Sequence, residues 1–128
     1  MNVATIVAVA AGGAVGALSR YWVSVYFGRL FGLGFPWGTL FINVTASFVL
    51  GALAEAFTTR WHASETTRLL LGVGFCGGYS TFSTYSLEVV TLFNRGAATA
   101  AVLYAAGSVA LSLGAVLGGF RFVRALLT

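Results

Sequence analysis

The chain has 128 residues, of which 59% are hydrophobic and only 8% charged, where a soluble domain carries roughly a quarter charged residues. So few charges cannot cover a water-facing surface, and a formal charge of +4 this thinly spread leaves no nucleic-acid footprint. A single cysteine, Cys76, excludes an internal disulfide and a multi-cysteine metal site, and with no Ser–His–Asp set, carboxylate cluster or phosphate loop an enzyme is not expected.

The membrane is therefore the expected solvent, and this length accommodates about four helices of roughly 20 residues each. The expected spans are residues 5–27, 38–57, 69–93 and 97–120, joined by the short connectors GRLFGLGFPW, TTRWHASETT and NRG, in one domain covering 1–128. In the first span, AVA at residues 8–10 resembles a signal-peptide cleavage site. No basic residue precedes the apolar run, and the run continues past residue 10, so the span is expected to be retained. Gly12, Gly13, Gly16 and Ala17 make overlapping pairs of small residues four apart, which let helix backbones approach closely in lipid. That approach serves either packing within the chain or a dimer seam. Arg20 lies near the span's end, placed to snorkel or to attract anions to a vestibule.

Pro36 breaks any helix running from the first span into the second. Trp22, Trp37 and Trp61 fall near span ends, as interfacial anchors do. In the second span, Thr39, Asn43 and Ser47 recur every four residues and form one polar stripe. Glu55 and Glu65 read as interfacial, and His62 as solvated in its connector.

The third span contains GFCGGYSTFSTYS at residues 74–86, poor helix material in an oily setting. A break over residues 77–80 is expected. In hydrocarbon such a break survives only inside protein or along a wet cavity. Its freed carbonyls suit a small cation, and its freed amides an anion. The alternative is an unbroken glycine-rich crossing, with hydroxyls bonded back to their own helix. Phe82 and Tyr85 share a helical face, offering either ordinary aromatic packing or two electropositive ring edges. Glu88 follows one turn later and invites an arginine partner. In the fourth span Tyr104, Ser108 and Ser112 make a second stripe, and Gly114 and Gly118 another small-residue pair.

With four spans, one side of the membrane collects Arg60, Arg68, Arg121 and Arg124, and the other Arg29, Arg95 and Arg20. This balance barely biases orientation. Insertion in both directions, giving an antiparallel two-fold dimer, is the corresponding hypothesis.

The segments GGAVGALSRY (12–21), FINVTASFVLG (41–51) and GFCGGYSTFSTYSLE (74–88) resemble the Fluc, or CrcB, family of fluoride channels, and with four spans the resemblance covers essentially the whole chain. It implies an all-α membrane protein of four helices with the third broken, assembled as an antiparallel dual-topology homodimer with two fluoride pores in the bacterial inner membrane. It implies ring edges at Phe82 and Tyr85 and an amide donor at Asn43. Tyr104 and Ser108 would line the pore, with Ser83, Thr84 and Ser112 as further hydroxyls. It also implies a structural sodium ion at the dimer centre, held by main-chain carbonyls assigned here to Gly77 and Ser80. Position 85 is usually phenylalanine in that family, residue 80 often threonine and residue 46 often glycine; here they are Tyr85, Ser80 and Ala46. The alternative is a small dual-topology, proton-coupled drug exporter. It needs a carboxylate in the first span, and that span has none. A non-transporting assembly subunit would explain the glycines but not the aligned stripes.

Overall fold

The computed structural model of the chain describes residues 1–127, and all of its regular structure there is helical. Helix α1 (Val3–Phe31) opens on a capping box in which the Asn2 side chain accepts from the Thr5 amide and the Thr5 hydroxyl accepts from the Asn2 amide. It ends at Gly32, whose φ of 74° closes the helix where a side chain would be strained. Helix α2 (Trp37–Thr59) starts directly after Pro36. The last helix, α6 (Ala98–Leu127), follows a second left-handed glycine, Gly96. At 29, 23 and 30 residues, these three helices are long and apolar enough to cross a membrane. Each exceeds the ~30 Å hydrocarbon thickness at about 1.5 Å per residue. The expected spans fall inside them, save for residue 97 at the start of α6, and the helices run on past the expected ends.

The third expected span is discontinuous. A single turn, α3 (Glu65–Arg68), capped by the Ser64 hydroxyl, leads into it ahead of the expected start at residue 69. It then widens into a π-helical segment (Leu69–Cys76), in which the Gly77 amide reaches back five residues to Gly72. One α-turn follows, α4 (Gly77–Tyr79). Ser80 (φ −77°, ψ 159°) and Thr81 (φ −153°, ψ 117°) are fully extended, and α5 (Phe82–Asn94) begins after them. The expected interruption is therefore present but displaced. Gly77 is helical at φ −66°, ψ −36°, so the break falls on Ser80 and Thr81 rather than on the glycines before them.

Those glycines serve close packing instead. A Cβ on Gly12 would collide with the Leu70 carbonyl, and one on Gly16 with the Phe75 carbonyl and the Tyr79 amide. Gly74 and Gly78 return the contact, against Gly12 and Gly13. Backbone thus lies on backbone where α1 crosses the π segment and α4, and at Gly12 and Gly16 the close approach is made within the chain. Helix α2 packs chiefly on α6, with Gly51 against the Val116 backbone and Gly119 against Phe48 and Ala52. Within the chain the Gly114/Gly118 pair is not the close contact with α2. Gly114 faces open space and Gly118 meets only the Phe48 ring, so the helix turns Gly119 to its partner instead.

Glu55 also departs from expectation. It is buried on α2 and receives the Arg124 Nε from α6 at 2.7 Å, 69 residues away in sequence. The ion pair ties the ends of the two most extensively packed helices, and an unpaired buried carboxylate there would be costly.

Gly16→Val should lower the stability of detergent-purified protein by about 3 kcal/mol through overpacking, read as a drop in the thermal unfolding midpoint. Gly114→Ala, in open space, should be neutral or slightly stabilising. A Gly16→Val protein that melts with the parent would refute the backbone contact.

Candidate functional site

An extended dipeptide in the middle of a helix leaves peptide groups without helical partners, and each must be satisfied. The side chains of Asn43, Arg20 and Thr81 pair several of them. The Thr81 amide donates to Asn43 Oδ1 at 2.8 Å, and Asn43 Nδ2 donates back to the Thr81 carbonyl at 3.0 Å. The Asn43 side chain thus pairs with Thr81 as a neighbouring strand would. The Arg20 Nε donates to the Gly78 carbonyl at 3.1 Å. The Ser80 amide and hydroxyl both return to the Cys76 carbonyl, at 3.0 and 2.7 Å. The Thr81 hydroxyl then caps α5 by accepting from the Thr84 amide at 3.2 Å.

These bonds redirect donors. In an unbroken helix Thr81 N–H would reach Gly77 O and Thr84 N–H would reach Ser80 O. Here the first is spent on Asn43 and the second on the Thr81 hydroxyl. The carbonyls of Gly77 and Ser80 are thereby deprived of their helical donors.

Beside the break lies a groove of about 280 Å³. Asn43 and Ser47 line it from α2, Phe82 and Tyr85 from α5, and Ser108, Val109, Ser112 and Leu113 from α6, with Thr81 at the break itself. None of these residues is charged. The two α5 rings lie with centroids 5.4 Å apart and planes at 45°. Phe82 is 76% exposed along the chain's surface.

The polarity of the groove follows from the hydrogen bonds around it. The reciprocal bonds to Thr81 fix the orientation of the Asn43 amide, since a flipped amide would oppose donor to donor and acceptor to acceptor. Its oxygen is turned toward the Thr81 amide. Among the described residues its second N–H has no protein acceptor, so Asn43 offers the groove a donor. Ser108 Oγ is buried and unpartnered among the described residues, an uncommon state for a buried hydroxyl. A donor amide, free hydroxyls and ring edges, with no formal charge, suit a small anion that sheds its water.

Other expected site residues lie elsewhere. Tyr104 does not line the groove. It is 1% exposed, its ring packs 5.3 Å from Tyr85, and its hydroxyl donates to Glu88 Oε1 at 2.9 Å. Among the described residues Glu88 pairs with no arginine; two neighbouring helices supply hydroxyls instead, Tyr104 on one oxygen and Thr39 on the other at 3.1 Å. Thr39 thus leaves the stripe it shares with Asn43 and Ser47. It joins Glu88, Thr84 and Arg95 on a second cavity of about 330 Å³ under the α1–α2 loop. Thr84 and Ser83 approach the Thr81 hydroxyl at 3.0 and 3.3 Å, around the start of α5, and neither lines the groove. Thr81 is the residue that sequence reasoning missed. Its signal was a hydroxyl three residues before Thr84 at a helix restart, the ordinary spacing of an N-cap.

The family model for "CrcB-like protein, Camphor Resistance (CrcB)" matches residues 7–120. The chain is 51% identical over 121 residues to the fluoride-specific ion channel FluC 1 of Nitrobacter hamburgensis, covering 94% of this chain and 96% of that protein. It is 50% identical to the fluoride-specific ion channel FluC of Rhizobium leguminosarum bv. trifolii, over 92% of this chain and 94% of the relative. The FluC of Rhodospirillum centenum is 44% identical over 93% of this chain and 94% of its own length.

Asn43→Asp removes the donor to the Thr81 carbonyl and sets a charged oxygen against it, a cost on the order of 1–3 kcal/mol. Amide hydrogen exchange in residues 77–84 should accelerate by roughly tenfold or more in this variant. Exchange at the parental rate would show that Asn43 does not hold the break.

Proposed function

This chain belongs to the CrcB-like family, and on that premise we propose that it is a fluoride-selective channel that lets cytoplasmic fluoride leave passively, with no enzymatic step. The observation that carries the reading is the buried, unpartnered Ser108 hydroxyl at the wall of an uncharged groove whose Asn43 amide keeps one N–H without a protein acceptor among the described residues. Relatives alike over more than nine-tenths of the chain bear the name fluoride-specific ion channel.

In this reading the anion enters the groove and exchanges water for the Asn43 N–H, the Ser108 and Ser112 hydroxyls and the ring edges of Phe82 and Tyr85. Ser47 lies one turn along α2 from Asn43 and extends the donor track. Tyr104 acts through the Tyr85 ring it supports. Ser83 and Thr84 serve the α5 start, and Arg20 fixes the Gly78 carbonyl while placing positive charge beside the break. Neutral donors hold the ion weakly enough for rapid exit, where a bare guanidinium would retain it. The membrane potential supplies the drive, about 2.3 kcal/mol per charge per 100 mV.

The π segment, α4 and α5 together make a fourth, interrupted span, and the assembly is an antiparallel homodimer in a bacterial inner membrane. Near-equal arginine counts at the two ends support insertion both ways. Phe82, exposed along the chain's surface, would be covered by the second copy. The deprived carbonyls of Gly77 and Ser80 fit a sodium ion shared between copies. When bound, that ion would neutralise the converging carbonyl dipoles and fasten the two breaks together. The drug-exporter alternative finds no carboxylate in α1 through which to exchange protons.

Purified protein in fluoride-loaded vesicles should release fluoride when valinomycin and potassium balance the charge. Ser108→Ala should slow that release by roughly tenfold, the worth of one charge-assisted hydrogen bond. A folded parent that releases nothing would overturn the proposal.

A further inference from the structure

We propose that the Tyr85 hydroxyl is a tether that fixes the ring wall of the groove and thereby limits the size of the anion admitted. The inference rests on the channel reading above and names a positioning role that the ring edges alone do not supply. The Tyr85 Oη donates to the Ala105 carbonyl at 2.8 Å, a bond that crosses from α5 to α6. Its single proton is spent there, so the hydroxyl cannot solvate an anion as a donor. It acts through the ring it holds.

The ring is held on two sides. The buried Tyr104 ring backs it at 5.3 Å, and the Ala105 carbonyl anchors its far end. Phe82, the other ring of the groove, has no polar handle and is largely exposed. The wall therefore consists of one ring with a polar tether and one without. Ala105 and Ser108 sit three residues apart on α6, one turn along the same face. Pinning ring 85 to Ala105 thus also sets its edge relative to the unpartnered Ser108 hydroxyl. A small anion fits between the two without moving either. A larger halide must push the ring aside, and the tether adds the loss of its hydrogen bond to that displacement.

The test uses the full chain in vesicles, comparing valinomycin-driven fluoride and chloride release. In Tyr85→Phe the fluoride-over-chloride ratio should fall roughly fivefold, the equivalent of one net hydrogen bond. With 4-aminophenylalanine at position 85, an N–H donor returns and the ratio should recover. The carbonyl stretch of isotope-labelled Ala105 in detergent should lie at lower frequency in the parent, rise in the Phe variant and fall again with the amino group. A Phe variant with the parental ratio, or an amino variant that behaves like Phe, would overturn the size limit. A parent whose Ala105 stretch matches that of the Phe variant would overturn the tether. A parent that passes no fluoride while its Ala105 stretch stays low would overturn the channel reading and leave the tether standing.

Discussion

One side-chain amide organises this molecule. Asn43 meets the peptide of Thr81 with a donor and an acceptor at once, and that pairing lets a helix stop and restart with its backbone satisfied at Thr81. The consequences run outward from it. Because the Thr81 amide goes to Asn43, the Gly77 carbonyl loses its helical partner. Because the Asn43 oxygen turns to Thr81, the amide leaves an N–H without a protein acceptor for the groove. Because α5 restarts at Phe82, the rings at 82 and 85 come to lie opposite Ser108 and Ser112 rather than along a continuous helix. A single polar contact thus sets the helix break, the sign of the groove and the position of its aromatic wall.

The break also needs a rigid mount, and glycine provides it without contributing any polar group. Helix α1 lies against the π segment and α4 so closely that Cβ atoms at Gly12, Gly16 and Gly78 would strike backbone. In lipid, where burial of apolar surface drives nothing, such contact is the main source of cohesion between helices. Widened π turns are rarely sustained and commonly mark functional sites; here they occupy eight residues on the approach to the break. On the other side α2 and α6 are joined by Gly51, Gly119 and the Glu55–Arg124 pair. Asn43 stands on one helix of that second pair and Ser108 on the other. The groove therefore runs along a seam between two firmly packed elements and one interrupted one.

Much of this was legible in the sequence. The four-residue spacing of Asn43 and Ser47, and of Ser108 and Ser112, placed those side chains together correctly, since helical periodicity carries that information directly. The existence of a break was legible from GGYST, but its position was not. Glycine is a poor helix former, yet in a membrane it is chosen as often for contact as for disorder, and Gly77 stays helical. The fates of Tyr104, Thr39 and Glu88 were hidden because their hydrogen bonds join three different helices, and a stripe on one helix does not reveal what the next presents to it. The same holds for Glu55 and Arg124, whose partnership depends wholly on how α2 and α6 pack. Tyr85 stood out by residue type alone; that its hydroxyl turns to the Ala105 carbonyl is a matter of tertiary structure.

The central claim is that an amide locked by a broken helix presents a neutral donor to an anion. Solid-state magnetic resonance of membrane-embedded protein, labelled with nitrogen-15 at asparagine side chains and arginine guanidinium groups and equilibrated with fluoride, tests it most directly. The account predicts a fluorine–nitrogen dipolar contact to the Asn43 side chain, with the Thr81 peptide still bonded to it. Fluoride coupled only to arginine nitrogens, or to no protein nitrogen at all, would contradict it.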